Sequence, residues 1–386
     1  MRIGIEAQRI FRPNKHGMDI VALETIRHLV RIAPQHTIVV FVRPDADPCL
    51  DPAPNLEIHE VPGLSYPTWE QWALPRAAAN AQVDVLHCTS NTAPVRPGVP
   101  LVVTLHDVIF LEGRAPWMRP GTYYQRLGNT YRFCVVPLAL RRANAVVTVS
   151  QYEGGRIAER FPELEDRLSV VHNGLSDAFR PIEAPDRRSA VRARYNLPER
   201  FLLFLGNTDP KKNVPNVLDA YVRYARMEQQ HNAMPVPLVI ADYDAPRLSA
   251  HLRRLGAMDL RDRIHLPGYV AHHDLPALYS QADLFLYPSL RESFGLPILE
   301  AMACGTPVVT SDVASMPEIA GDAALLVNPN DPEDIATAVH RALRHPELQA
   351  GLRTRGRARA KRFSWAAAAE RLLPIYQRAA RAAVAA

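Results

Sequence analysis

Residues 287–309 run YPSLRESFGLPILEAMACGTPVV. An apolar strand ends near Tyr287, and a loop carrying Arg291, Glu292 and Gly295 leads into a helix at 297–303. Pro297 suits the first helical turn, where its missing N–H would have had no partner. A second apolar strand restarts at 308–310, after GTP. This strand–loop–helix–strand order is one unit of a parallel α/β sheet.

The same alternation extends outward in both directions. Upstream of residue 180, strands are expected at 2–7, 37–42, 83–87, 101–105, 145–149 and 168–171, with helices at 18–32, 68–80, 123–142 and 151–161. Several of these strands are apolar throughout, as when helices cover both faces of a parallel sheet. Downstream, strands at 201–205, 238–241, 264–266, 284–287, 308–310 and 325–327 alternate with helices at 214–230, 246–255, 274–280 and 297–303. The Pro- and Arg-containing stretch 177–198 is the best linker candidate, and from Pro332 onward the chain is nearly all helical. Two doubly wound α/β lobes follow, 1–180 and 181–362, with a terminal helix at 363–386. Ligands of such lobes bind in the crevice at the carboxyl ends of the strands.

A length of 386 residues fits two domains, and 47% hydrophobic against 22% charged residues argues against disorder. The net charge of +5 is too small to name a partner. The basic run RTRGRARAKR at 353–362 lacks interleaved aromatics, reads as a solvated helix face and does not suggest nucleic acid. Cys49, Cys88, Cys134 and Cys304 are scattered, so they read as reduced, mostly buried thiols of a cytoplasmic protein. No signal peptide and no membrane-spanning run is visible, so any membrane contact is peripheral, at the inner membrane face.

Chemistry concentrates in the loops. The backbone N–H groups near Gly295 and Leu296 open the helix at 297–303 and suit a diphosphate, which Gly295 lets approach closely. Glu292 precedes that helix and Glu300 lies about one turn inside it. Taken singly they read as a capping acid and a surface residue; the Pro, the two Gly and the following strand together favour function. The loop LGNTDPKKN, 205–213, follows the first strand of the second lobe, and its lysines suit a departing diphosphate. His106 and Asp107 end the apolar strand LVVTL, where His106 reaches a sugar hydroxyl or an acceptor, or else is structural beside a capping aspartate.

The segment 287–309 resembles the signature of glycosyltransferase family 4, retaining GT-B enzymes with an E-x7-E motif, and the likeness extends through GYVAHHDLPALYSQADLFLYPS and SMPEIAGDAALLVNPND. The resemblance implies two Rossmann-like lobes facing a central cleft, with the terminal helix packing back on the first. It implies that Glu292 contacts the donor sugar and Glu300 the nucleotide ribose, with Phe294, Gly295 and Leu296 supplying backbone donors. Tyr269 and Val270 would flank the base. Many relatives carry G-R with K-G five residues on; here Gly206 is followed by Asn207, so the phosphate role falls to Lys212, helped by Lys211. His106 would touch donor or acceptor, with Asp107 beside it on the acceptor side, and the glycine loop that faces the donor phosphates would be represented by Gly17, with Lys15 and His16 on the acceptor side. Asn173-Gly174 resembles the loop at the lobe junction, or is a tight turn, and Ser150 reads as a helix N-cap.

The implied reaction is transfer of a hexose from a nucleotide diphosphate sugar, GDP-mannose first and a UDP-sugar second, to a glycan or lipid-linked glycan hydroxyl in exopolysaccharide or O-antigen assembly. Aromatic loops at 65–72 and 117–131 are candidates for holding a lipid-linked acceptor, or are core. No G-x-G-x-x-G or Walker pattern occurs, and Asp45-Ala46-Asp47 lies in a Pro-rich turn, so nothing requires a metal or a cofactor. Two alternatives stay open: a two-lobe epimerase or phosphorylase, and a non-catalytic sugar-nucleotide binder, toward which only Asn207 leans.

Overall fold

The computed structural model describes residues 1–13, 15, 17–112 and 123–384, of which 123–125, 383 and 384 are described by backbone alone. The chain forms two compact units, Met1–Gly174 with Ser364–Ala386, and Leu175–Phe363.

The first unit holds seven strands: β1 (Arg2–Glu6), β2 (Thr37–Val42), β3 (Leu56–Glu60), β4 (Val85–Cys88), β5 (Leu101–Thr104), β6 (Ala145–Thr148) and β7 (Leu168–Val170). All pairings are parallel, in the order β3-β2-β1-β4-β5-β6-β7, with Ile3 opposite both Ile38 and Val85. The order reverses between β1 and β4, the kind of switch point where α/β sheets bind ligands. Strand β3 went unseen in the sequence because LEIHE is a half-exposed edge strand with no apolar run. The helix expected over 68–80 is a turn at Tyr66–Thr68, a π-helical stretch Trp69–Ala73 and an α-helix Leu74–Asn80. Pro75 explains the break: its ring clashes with the carbonyl four residues back and it has no N–H to donate.

The final helix, Trp365–Val384, belongs to this unit: Trp365, Leu372 and Tyr376 share a core with Ile26 and Leu29 of the helix Gly17–Ile32. Gly174 lets it dock, since a Cβ there would stand 2.1 Å from the Trp365 nitrogen. Buried His87 links strand and helix, bonded to Tyr376 OH at 2.8 Å and Thr104 Oγ1 at 2.7 Å, and burial depresses its pKa to about 3.

The second unit has six parallel strands: β8 (Leu202–Leu205), β9 (Leu238–Ala241), β10 (Ile264–His265), β11 (Leu284–Tyr287), β12 (Val308–Ser311) and β13 (Leu325–Val327). Their order is β10-β9-β8-β11-β12-β13, so the reversal lies between β8 and β11. The stretch 177–198 is not an open linker: it contains the helix Pro185–Arg194, tied down by Arg194 and Tyr195 OH on Asp274 Oδ2 at 2.7 and 2.9 Å. The basic run at 353–362 is not simply a solvated face. Arg353 donates to the Gly305 carbonyl, Arg355 to that of Asp322, and Arg359 to those of Ile319 and Glu318. Guanidinium groups on carbonyls that close two short helices satisfy the unpaired acceptors there and complement the helix dipole. Cys88 and Cys304 are buried, Cys49 is half-buried and Cys134 is exposed.

Candidate functional site

The loop after β8 is folded by its own side chains. Asn207 Oδ1 accepts from the Asp209 N–H at 2.9 Å, and Asp209 Oδ1 from the Lys211 N–H at 3.1 Å. A 3-10 turn at Pro210–Lys212 follows, then Asn213 in the left-handed region at φ 65°. Asn tolerates that conformation, and its amide does further work: Nδ2 donates to the carbonyls of Pro288 at 2.9 Å and Pro329 at 2.7 Å. With Leu290 N–H on the Lys211 carbonyl at 2.8 Å, the loops after β8 and β11 are stapled together at the switch point.

Lys212 and Glu292 meet there. Lys212 Nζ lies 2.8 Å from Glu292 Oε1 and 2.9 Å from Tyr287 OH, with the Lys212 and Glu292 side chains 16% and 12% exposed. Lys211 instead turns outward to Asp209 at 3.6 Å, an exposed pair worth little. Buried Ser315 reaches the carbonyls of Glu292 at 2.9 Å and Phe294 at 3.0 Å, and Phe294 packs edge-on against Phe363. Gly295 takes φ +100° as the N-cap of the helix Leu296–Ala303, a conformation that an L side chain adopts only with strain. Pro297 has no N–H and the Ile298 N–H is taken by the Gly295 carbonyl at 3.0 Å, so the positive end that this helix gives the site comes from its dipole and the N–H groups at Gly295 and Leu296. Gly206 is fixed by packing, since a Cβ would come within 2.8 Å of Phe204 and 2.9 Å of Ile240.

Glu300 is buried, not on the surface, at 9% exposure. Tyr279 OH donates to its Oε2 at 3.0 Å, and burial lifts its pKa to about 7 against the opposing pull of Tyr279 and Lys212. Farther along the sheet, Tyr269 is 72% exposed while Val270 is buried, and the Asp242 N–H donates to the Gly268 carbonyl at 2.9 Å. The second unit thus brings Gly206, Asn207, Lys212, Glu292, Phe294, Gly295, Leu296 and Glu300 to the carboxyl ends of β8 and β11. A cation, two carboxylates and a helix N-terminus of this kind can hold a diphosphate beside a hydroxylated group.

In the first unit, buried His106 donates from Nε2 to the Thr89 carbonyl at 2.8 Å, and burial lowers its pKa. The neutral ring therefore carries its proton on Nε2 and keeps a lone pair on Nδ1. Asp107 Oδ1 accepts from the Ile109 N–H at 3.1 Å, as a turn cap does. Lys15 is paired with Asp47, Gly17 opens its helix with no atom within 4 Å of an added Cβ, and Ser150 caps the helix Gln151–Arg160. His16 and Trp117 lie outside the described residues.

Sequence reasoning missed Tyr287, Asn213, Ser315 and Tyr279, which hold the site from below. It also missed two buried carboxylates of the first unit. Glu6 accepts from the N–H groups of Gln8 at 3.0 Å and Thr89 at 3.3 Å. Glu70 accepts from Tyr66 OH at 2.8 Å, Tyr131 OH at 2.6 Å, Gln71 Nε2 at 2.9 Å and Thr92 Oγ1. Burial raises the pKa of both.

Comparison with known proteins bears on the whole chain. Residues 188–359 match the model for "Glycosyl transferases group 1" and residues 16–179 that for "Glycosyltransferase Family 4". The O-antigen chain mannosyltransferase B of Escherichia coli is 34% identical over 228 residues, 59% of this chain and 58% of that protein. The serotype-specific mannosyltransferase WbdA of Escherichia coli is 30% identical over 270 residues, 69% of this chain and 32% of WbdA. The chain thus spans about half the length of one of these relatives and a third of the other. The structure of Anabaena HepE in complex with UDP and glucose covers 100% of both chains at TM-score 0.67 and 19% identity, a likeness of fold alone. With residues 16–179 and 188–359 matched by these two models, the chain belongs to the glycosyltransferases that they describe, family 4 and group 1.

Proposed function

We propose that the protein is a retaining hexosyltransferase that moves a sugar, mannose from GDP-mannose in the first instance, to a hydroxyl of a glycan or lipid-linked glycan. The observation that carries this reading is the contact of Lys212 with Glu292 beside the helix N-terminus at Gly295. The donor belongs to the second unit. Its diphosphate lies against Lys212 and the N–H groups at Gly295 and Leu296, its ribose against Glu300, its base beside Tyr269 and Val270, and its sugar hydroxyls on Glu292.

As the anomeric C–O bond breaks, the sugar becomes oxocarbenium-like and negative charge grows on the diphosphate. Fixed positive groups stabilise that charge most in the transition state. The acceptor belongs to the first unit, with His106 able to take a hydroxyl proton in a hydrogen bond at Nδ1. Retention of configuration is what the family resemblance implies; with no side chain assigned as a nucleophile, the route we propose for it is attack on the face that the diphosphate leaves. The mannosyltransferase relatives support mannose, and O-antigen assembly as the setting. A UDP-sugar is the second reading, favoured by the UDP in HepE.

The test is binding and nucleoside diphosphate release with UDP-, GDP-, ADP- and dTDP-sugars and no added metal. Selective binding of one donor with slow release of its diphosphate is expected. A folded protein that binds none of them would overturn the reading.

A further inference from the structure

We propose that Tyr287 is a positioning residue for Lys212, a role that rests on reading this site as the donor site. Tyr287 closes β11, in the middle of the six-stranded sheet, and is 1% exposed. Its ring stacks on Phe285 at 5.7 Å and 25°, which fixes the direction of the phenol. The hydroxyl accepts from Lys212 Nζ at 2.9 Å, with the ammonium 4.8 Å from the ring centroid. The same ammonium donates to the Glu292 carboxylate at 2.8 Å. Lys212 thus donates at once to a buried phenol oxygen and to a carboxylate.

The two contacts differ in what happens to them when a donor arrives. Glu292 is the group assigned to the sugar hydroxyls, so a bound sugar competes with Lys212 for that carboxylate. Tyr287 makes no such demand: it is buried, and its oxygen stays where it is. The ammonium then keeps one fixed protein partner while its other hydrogens turn to the diphosphate. Burial and the nearby carboxylates push the phenol well above its ordinary pKa, so it remains a neutral dipole at working pH. Packing alone would be served by Phe, since a buried hydroxyl gains nothing without partners. Lys211 turns outward to Asp209 and Asn207 is neutral, so the aim of Lys212 matters the more.

The experiment compares Tyr287→Phe with the full-length wild type on the donor that the wild type turns over. Because charge on the diphosphate grows toward the transition state, loss of aim falls on kcat. A drop of about tenfold is expected, with KM for the donor within about threefold, on the scale of one hydrogen bond to a charged group. Melting temperature should barely move, because the ring and its stacking remain; Tyr287→Met removes the same hydroxyl should the Phe variant prove unstable. In a Lys212→Ala background, Tyr287→Phe should cost nothing further, since its effect passes through the missing ammonium. Turnover within twofold of wild type would overturn the proposal, as would losses that multiply in the double variant, while the donor-site reading stood. A wild type that binds no sugar nucleotide would sink both.

Discussion

Glu300→Gln converts the burial of one carboxylate into a measurable dependence on pH. Glu300 is 9% exposed and its pKa is raised from 4.5 to about 7, chiefly by burial. A carboxyl that is harder to ionise in the folded protein binds its proton more tightly there than in the unfolded chain. Between pH 4.5 and about 7 the folded state therefore holds the extra proton, and stability falls as pH rises through that window. The rise from 4.5 to about 7 corresponds to about 3 kcal/mol. By the usual scaling for a unit of this size, that is several degrees in Tm. The neutral amide of the variant feels none of it, so the Gln protein should gain on wild type as pH rises from 5 to 8 and level off above. Thermal unfolding of both proteins at half-unit pH intervals reads the difference directly. A difference that stays constant between pH 5 and 8 would refute the account, because it would mean that Glu300 ionises as freely folded as unfolded. Donor affinity should move the other way, strengthening above pH 7 as the ionised carboxylate accepts the ribose hydroxyls.

Lys212→Ala should lower turnover about a hundredfold, the usual loss when one transition-state donor is removed, while the unfolding midpoint shifts far less; steady-state kinetics beside a denaturant melt separate the two. Gly174→Ala puts a Cβ 2.1 Å from the backbone of Trp365, so it should destabilise the first unit by more than about 4 kcal/mol, seen as lost amide protection in Trp365–Val384. Asn213→Gly keeps the left-handed backbone but loses two hydrogen bonds to the carbonyls of Pro288 and Pro329, and should cost about 1–3 kcal/mol in chemical denaturation.

The strand–helix alternation was legible because strands covered on both faces, such as TIVVFV and LLFL, are apolar from end to end. Strand β3 was not, since an edge strand needs only half a face. The stretch 177–198 misled for a related reason. Its helix is held by Arg194 and Tyr195 on Asp274, partners about 80 residues away that no local pattern announces. In the site, Lys212 and Glu292 were visible because charged residues in Gly- and Pro-marked loops stand out against the apolar strands. Tyr287 did not stand out: at the end of LFLY it reads as one more core aromatic, and only its contact with Lys212 distinguishes it.

Burial alone does not separate a candidate ligand-binding carboxylate from structural ones in this protein. Glu6, Glu70 and Glu300 are all buried with raised pKa values. The distinction lies in how many donors each already has. Glu70 collects three hydroxyls and an amide, and Glu6 is met by the backbone N–H groups of Gln8 and Thr89 and, at 3.5 Å, by the Thr89 hydroxyl. A carboxylate offers about four acceptor positions, so these two have little left for a ligand. Glu300 has one donor among the described residues, Tyr279. Two ribose hydroxyls would complete its set and recover part of the desolvation that raises its pKa. Among the three, unfilled acceptor capacity beside a cation marks Glu300 as the one that a donor would occupy.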